Sequence, residues 1–368
     1  MKILFAARSF NNIAGGVERM AISIMNEMVQ RGHEVSLITW DYDSAVAFYP
    51  MDKKVNWIKI NLGEPLGKAS WLIRIKRAFL IREIIRNNLP DTILAFQHGT
   101  FFSLKMYLMG MGKKIIAAER NAVSIYKYIS SGKHKNLIMQ SFRFANQITV
   151  QLPKYVYDYP KFLQTKITVI PNRVEQVSED VLSRRTTHSR KVLLSVGRLS
   201  FQKNFKLLID CFENLSRDFP EWDLIIAGDG EEFTMLEELV NNYQLNSRVK
   251  LLGAVEDVQS LYLNADLFCL PSLWEGFPNS LAEALSFGLP SVGFRESSGV
   301  NELIIDNYNG LLALGNNNQN SLTNSLSNIM NDSMLRDEMS KKAIDSMKQF
   351  EPMKIFDQWE DLFIKISN

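Results

Sequence analysis

The chain has 368 residues, too many for one ordinary hydrophobic core and enough for two domains of about 170–190 residues each. With 46% hydrophobic and 22% charged residues it has the composition of a soluble globular protein, and no uncharged stretch is long enough to span a membrane. The net charge of +2 conceals a division: residues 1–190 carry 28 Lys and Arg against 14 Asp and Glu, and the remainder 14 against 26, so an anionic partner is expected for the first half.

From the N-terminus, Met1–Arg8 lacks the apolar run and cleavage region of a signal peptide, which predicts a cytoplasmic protein, able to lie on the inner face of the cell membrane. Short β-rich runs then alternate with amphipathic helical stretches, the pattern of parallel α/β sheets. Strands are predicted at Ile3–Ala7, Glu34–Thr39, Val55–Ile60, Thr92–Phe96, Lys114–Ala118, Gln147–Val150 and Ile167–Ile170. The clearest helix is Val17–Gln30, with Val17, Met20, Ala21, Ile24, Met25 and Met28 on one face. The stretch Ser70–Arg86 mixes large apolar residues with Arg74, Lys76, Arg77, Arg82 and Arg86. It reads either as a membrane-interface helix or as an ordinary helix covering the sheet with a solvated basic face.

After Pro171-Asn172 the apolar period stops, and 174–190 reads as a linker between domains 1–173 and 191–350. Strands resume at Val192–Val196, Asp223–Ala227, Val249–Leu252, Asp266–Leu270, Pro290–Gly293 and Leu311–Ala313. Cys211 and Cys269 sit in apolar runs and give no disulfide framework. The Asn-rich 315–320 reads as a loop, and 351–368 as a packed helix crossing back to the first domain. Two Rossmann-like α/β/α domains are thus expected, with a cleft between them as the ligand site.

Chemistry-bearing residues cluster where strands end. Ala14-Gly15-Gly16 follows the first strand and precedes a helix, a turn able to face a phosphate. Gly197-Arg198-Leu199-Ser200-Phe201-Gln202-Lys203-Asn204 places two cations on a glycine-containing loop, where Arg198 can fork two phosphate oxygens and Lys203 adds a compact charge. In Glu275-Gly276-Phe277-Pro278-Asn279-Ser280-Leu281-Ala282-Glu283 a helix is predicted to start near Asn279 or Ser280, with either as N-cap. Such a start suits a diphosphate, and the spacing lets Glu275 and Glu283 face one ligand. Asp41-Tyr42-Asp43 has the form of a metal-bridging D-x-D but lies away from the phosphate elements and reads as loop. With no other carboxylate or histidine cluster, neither metal nor cofactor is expected.

The Glu275–Glu283 segment resembles the EX7E signature of retaining glycosyltransferases of the GT-B fold, family 4, and Gly197-Arg198-Leu199…Lys203-Asn204 is similar to the family's phosphate-binding segment. The resemblance runs in order through most of residues 190–313. It implies a nucleotide-diphosphate sugar as donor, with Arg198, Lys203, Asn279 and Ser280 at the diphosphate. Glu283 would lie at the ribose, Glu275 with Gly276 and Phe277 at the transferred sugar, Val255 in the base-contacting stretch, and Gly15 and Gly16 in the loop facing the donor. The leaving phosphate would accept the acceptor's proton, and domain closure would exclude water. Family frequency favours UDP.

The first domain departs from the family pattern. Ala118-Glu119-Arg120-Asn121 stands where many relatives carry Thr-x-His, and is similar to a Ser-Glu-Arg-Asn run of relatives acting on lipid-linked sugars. That makes Glu119, Arg120 and Asn121 acceptor-binding candidates. His98, at the end of the fourth strand, is a candidate for orienting acceptor or sugar hydroxyls. The sugar stays open between a hexose and an N-acetylhexosamine. The basic charge, rather than a motif, points to a lipid-linked saccharide acceptor and an anionic membrane surface, in surface polysaccharide synthesis. No nucleic-acid motif is present. A nucleotide-sugar 2-epimerase and a non-catalytic subunit of the same architecture are the alternatives.

Overall fold

The apolar runs of the sequence fold as strands buried on both faces, which is what a parallel sheet covered by crossover helices requires. The computed structural model describes residues 1–184 and 189–367. Two units divide them, Met1–Arg173 together with the chain from Met353 onward, and Val174–Pro352.

In the first unit the strands are β1 (Lys2–Ala6), β2 (Glu34–Thr39), β3 (Asn56–Lys59), β4 (Thr92–Phe96), β5 (Ile115–Ala118), β6 (Gln147–Val150) and β7 (Ile167–Val169), ordered β3-β2-β1-β4-β5-β6-β7. In the second they are β8 (Lys191–Val196), β9 (Trp222–Ala227), β10 (Val249–Leu251), β11 (Leu267–Leu270), β12 (Ser291–Phe294) and β13 (Gly310–Ala313), ordered β10-β9-β8-β11-β12-β13. Every pairing within both sheets is parallel. In each sheet the chain winds outward one way from a central strand, then returns to the other side. That leaves a switch point between β1 and β4, and another between β8 and β11, where loops diverge and ligands are admitted.

Helix α1 (Gly16–Gln30) buries Met20, Ala21, Ile24, Met25 and Met28 against the first sheet, the stripe its periodicity predicts. Helices α2 (Trp71–Asn88) and α3 (Gln97–Tyr107) flank the same unit. The helix Pro352–Ser367 belongs, from Met353 onward, to the first unit. Its Ile355, Phe356, Trp359, Leu362 and Phe363 enter the core with Phe5, Leu94 and Phe96. Phe363 meets the Phe5 ring edge-on, centroids 5.9 Å apart. Glu360 ties its outer face down, pairing with Arg31 at 2.5 Å and with His33 Nε2 at 2.7 Å.

Some local expectations shift. Of the linker expected at 174–190, residues 185–188 lie outside the described residues, as does Asn368 at the end of the terminal helix. The described part of that stretch holds a short helix, Glu179–Leu182, and the Val174 N–H donates to the Phe350 carbonyl at 2.8 Å. The predicted loop 315–320 is helical from Gln319, because the Asn318 side chain accepts the Ser321 N–H and caps the helix there. Cys211 and Cys269 are buried and unbridged.

Candidate functional site

In the second unit, the loops leaving β8 and β11 meet at the switch point. The Leu273 N–H donates to the Gln202 carbonyl at 2.9 Å, and Gln202 Nε2 returns a bond to the Trp274 carbonyl at 2.7 Å. This lacing brings Lys203 Nζ to 2.7 Å from Glu275 Oε1. The two side chains are only 15% and 7% exposed, so the pair is far less screened than a surface one. The Glu275 N–H donates to the Ser298 carbonyl at 2.8 Å, fixing the backbone that carries the carboxylate.

The β8 loop is also held from the other side. Leu199 N–H donates to the Asp229 carbonyl and Gly197 N–H to the Ala227 carbonyl, both at 2.9 Å. Gly228 makes this approach possible: a Cβ there would lie 1.9 Å from the Gly197 oxygen, and its φ is +141°. Arg198, by contrast, extends into solvent, 3.2 Å from an equally open Glu231. One cation of the loop is therefore fixed and the other is free to swing.

The helix beyond the β11 loop is Asn279–Ser286, buried through Leu281, Ala282, Ala284, Leu285 and Ser286. Asn279, Ser280 and Glu283 are half-buried and share its open side, one turn apart. The sequence expected Asn279 or Ser280 to cap this helix. The N-cap is instead Pro278, with no side-chain cap, and Asn279 is the first helical residue. Glu283 Oε2 accepts the Tyr262 hydroxyl at 3.1 Å, and the Tyr262 ring is wedged between Phe268 and Phe287. Gly276 and Phe277 are buried beside Glu275, and Val255 sits half-buried in the loop after β10.

In the first unit Gly15 is the N-cap of α1 and Gly16 its first residue. A Cβ on Gly15 would lie 2.0 Å from Glu18 Oε2. His98 is not at a strand end but in the first turn of α3, where it is half-buried. Its Nε2 lies 2.7 Å from the Ser141 oxygen, with the ring stacked on Phe102 and edge-on to Phe142. Ser141 gives its own proton to the Ile138 carbonyl, so the imidazole must donate from Nε2. Burial holds the ring's pKa down at about 4, leaving it neutral at neutral pH.

Glu119 follows β5 and is buried. Desolvation pushes its carboxyl up to about 7, against the backbone N–H of His98 and the charge of Arg120. The Arg120 guanidinium turns inward, 3.3 Å from Thr149 Oγ1 and 5.0 Å from the Trp359 ring centre, and burial lowers its pKa. Asn121 stands half-buried next to it. Asp41 of the D-x-D lies in a loop as expected. Its carboxylate accepts from Ser9 Oγ at 2.5 Å and the Phe10 N–H at 2.8 Å, a structural tie.

Thus Lys203, Glu275 and the Asn279 helix come together, while Arg120 is spent on the interior of the first unit and His98 is engaged by Ser141. Gln202 and Tyr262, which orient the two carboxylates, were not singled out from the sequence. Gln202 lies within the Gly197–Asn204 motif, but nothing local marks Tyr262, whose partner is 21 residues away.

A family model described as Glycosyl transferases group 1 matches residues 179–346, and one described as Glycosyltransferase Family 4 matches residues 14–175. The chain is 26% identical over 373 residues to the GalNAc-alpha-(1->4)-GalNAc-alpha-(1->3)-diNAcBac-PP-undecaprenol alpha-1,4-N-acetyl-D-galactosaminyltransferase of Campylobacter jejuni, spanning 100% of this chain and 99% of that one. Among solved structures it resembles sucrose-phosphate synthase from Thermosynechococcus elongatus, with TM-score 0.85 and 16% identity over 99% of this chain and 98% of that one. It also resembles HepE of Anabaena in complex with UDP, with TM-score 0.80 and 19% identity over 99% and 100%. These two likenesses are likenesses of fold.

Proposed function

Since the chain belongs to the group 1 glycosyltransferases of family 4, with the GT-B fold, we propose that it transfers a hexose or N-acetylhexosamine, with retention of anomeric configuration and without a metal, from a UDP-sugar to a lipid-linked saccharide in surface polysaccharide synthesis. The observation that carries this reading is the buried Lys203–Glu275 pair at the β8/β11 switch point, with Glu283 on the open side of the next helix. UDP is supported by the HepE complex and the lipid-linked acceptor by the Campylobacter relative.

The donor lies on the second unit. Lys203, Arg198 and the positive end of the Asn279 helix take the diphosphate, where charge builds as the anomeric C–O bond breaks. Fixed Lys203 and mobile Arg198 together supply the positive charge that a divalent ion supplies elsewhere. Glu283, held by Tyr262, takes the ribose hydroxyls, and Val255 lies at the base. Glu275, with Gly276 and Phe277 behind it, takes the hydroxyls of the sugar. The acceptor oxygen bonds to the anomeric carbon on the face the diphosphate leaves, and its proton passes to the departing phosphate oxygen. In the first unit the Glu18 carboxylate fills the space beside Gly15, so Gly15 and Gly16 meet a phosphate only when that side chain moves aside, and Glu119 and Asn121 are the residues for the acceptor's hydroxyls. Arg120 reaches a phosphate only by leaving its inward position, and His98 acts by holding its turn. The basic surplus of this unit suits an anionic membrane surface, at the cytoplasmic face.

Tyr262→Phe removes the bond to Glu283 and leaves the ring packing. The expected result is a KM for donor raised about 3- to 10-fold with kcat nearly unchanged, read from initial rates. The reading as a whole is tested by incubating the protein with UDP-, GDP- and ADP-sugars plus membrane extract, with and without EDTA, and following nucleoside-diphosphate release. Release from a UDP-sugar that requires extract and survives EDTA is expected. Loss of turnover in EDTA, restored by a divalent ion, would refute metal independence. Conversion of donor to its epimer without acceptor would replace transfer altogether.

A further inference from the structure

Helix α2 has its polarity partly reversed. The side packed on the first unit carries Ile81 and Ile85 but also Arg77, only 3% exposed, whose guanidinium donates to the Leu62 and Glu64 carbonyls and lies over the Trp40 ring. The outer side carries Trp71, Leu72, Ile75 and Phe79, exposed by 69%, 54%, 46% and 72%. At 100° per residue these four fall within about a third of the helix circumference, all in its first half. A helix that merely covers a sheet turns charge outward and apolar groups inward. Single exposed apolar residues are ordinary, but four large ones on one face are not.

Exposed apolar residues are not confined to α2. Leu66 stands exposed shortly before it. Helix α3 lies alongside, with Arg82 of α2 donating to the carbonyls of Tyr107 and Met109, and it exposes Phe102 and Met106. Around the apolar centre stand exposed cations: Lys68 before the helix, Lys76 at the edge of the stripe and Arg86 on its second half. Glu83 is the one acidic residue of α2. Large apolar side chains ringed by Lys and Arg complement one surface chemistry, the boundary between headgroups and acyl chains in a bilayer of anionic lipid. Trp is favoured at that depth, and Lys and Arg reach the phosphates. Among the described residues no helix is long and apolar enough to cross a membrane.

We propose that the first half of α2 is a membrane-seating element: Trp71, Leu72, Ile75 and Phe79 enter the headgroup boundary of an anionic bilayer, and Lys68, Lys76 and Arg86 hold its phosphates. This rests on the reading of the acceptor as lipid-linked, and gives that reading a surface. Arg77 anchors the helix to the first unit, so the apolar side faces outward before any lipid is met.

The test is co-sedimentation of the whole protein with vesicles of phosphatidylglycerol and phosphatidylethanolamine, and with vesicles of phosphatidylcholine alone. Wild type is expected to partition onto the anionic vesicles, less so as salt is raised. The double variant Trp71→Ser/Phe79→Ser is expected to bind at least about tenfold more weakly, since two large apolar groups no longer leave water. Its thermal midpoint should be unchanged because both side chains are exposed, and so should its transfer to a water-soluble acceptor. Binding by the double variant equal to wild type, or equal binding to both vesicle types, would overturn the proposal. So would a wild-type dimer in solution that the double variant loses, which would make a second copy the occupant. Vesicle binding is measured without turnover: absent transfer to any acceptor counts against the transferase reading, and absent binding with intact transfer counts against this inference alone.

Discussion

Glu275→Ala is expected to lower kcat for sugar transfer by about 100- to 1000-fold, the usual loss when one preorganised polar contact to the reacting group is removed. The donor's KM should move much less, because the nucleotide is held mainly by Glu283, Lys203 and the Asn279 helix. The substitution also leaves Lys203, whose side chain is 15% exposed, without its carboxylate. That costs about 1–3 kcal/mol of stability, less than for a fully buried pair because Lys203 retains some water. Glu275→Gln separates the two effects. It keeps the volume, and its amide oxygen can still accept from Lys203, so it should lose less stability than alanine while remaining nearly as inactive. Initial rates and thermal melts of both variants decide it. An active Glu275→Gln enzyme would mean that the charge is not needed at the sugar.

The second large effect is expected from a methyl group. Gly228→Ala places a Cβ 1.9 Å from the Gly197 carbonyl oxygen, at a φ of +141° that side-chain-bearing residues rarely adopt. The Gly197 side of that contact belongs to the turn that delivers Arg198 and Lys203. Relief comes only by moving that turn, with a cost of about 3 kcal/mol or more and a loss of donor binding. Gly253→Ala is the comparison. Its φ is +66° but a Cβ there meets nothing within 4 Å, so it should cost only the left-handed strain, about 1–2 kcal/mol. Melting curves and nucleotide titrations on the two variants separate crowding from strain.

Much of this architecture is legible in the sequence because it is locally encoded. Glu34–Thr39, Thr92–Phe96 and Gln147–Val150 are strands over the whole of their predicted spans, since apolar β-prone runs bounded by polar turns have few other uses. The α1 stripe and the terminal helix are read the same way. What stays hidden depends on partners far along the chain. Gln202 orients Glu275 from 73 positions away, and no spacing rule announces it. His98 promises a freely available imidazole by its place after β4, yet Ser141, Phe102 and Phe142 engage it. Arg120 has a phosphate-binder's chemistry, but Thr149 and the Trp359 ring claim it first. For α2 the sequence left two readings open, and packing shows why: one face covers the sheet while another offers large apolar groups to the outside.

The most direct test of the central claim is the anomeric configuration of the product formed from an α-linked UDP-sugar, read by proton NMR with wild type and Glu275→Ala side by side. An α-glycosidic product from wild type, with its rate collapsed in the variant, is the predicted result. A β-glycosidic product, or an α-product formed equally fast without Glu275, would contradict it.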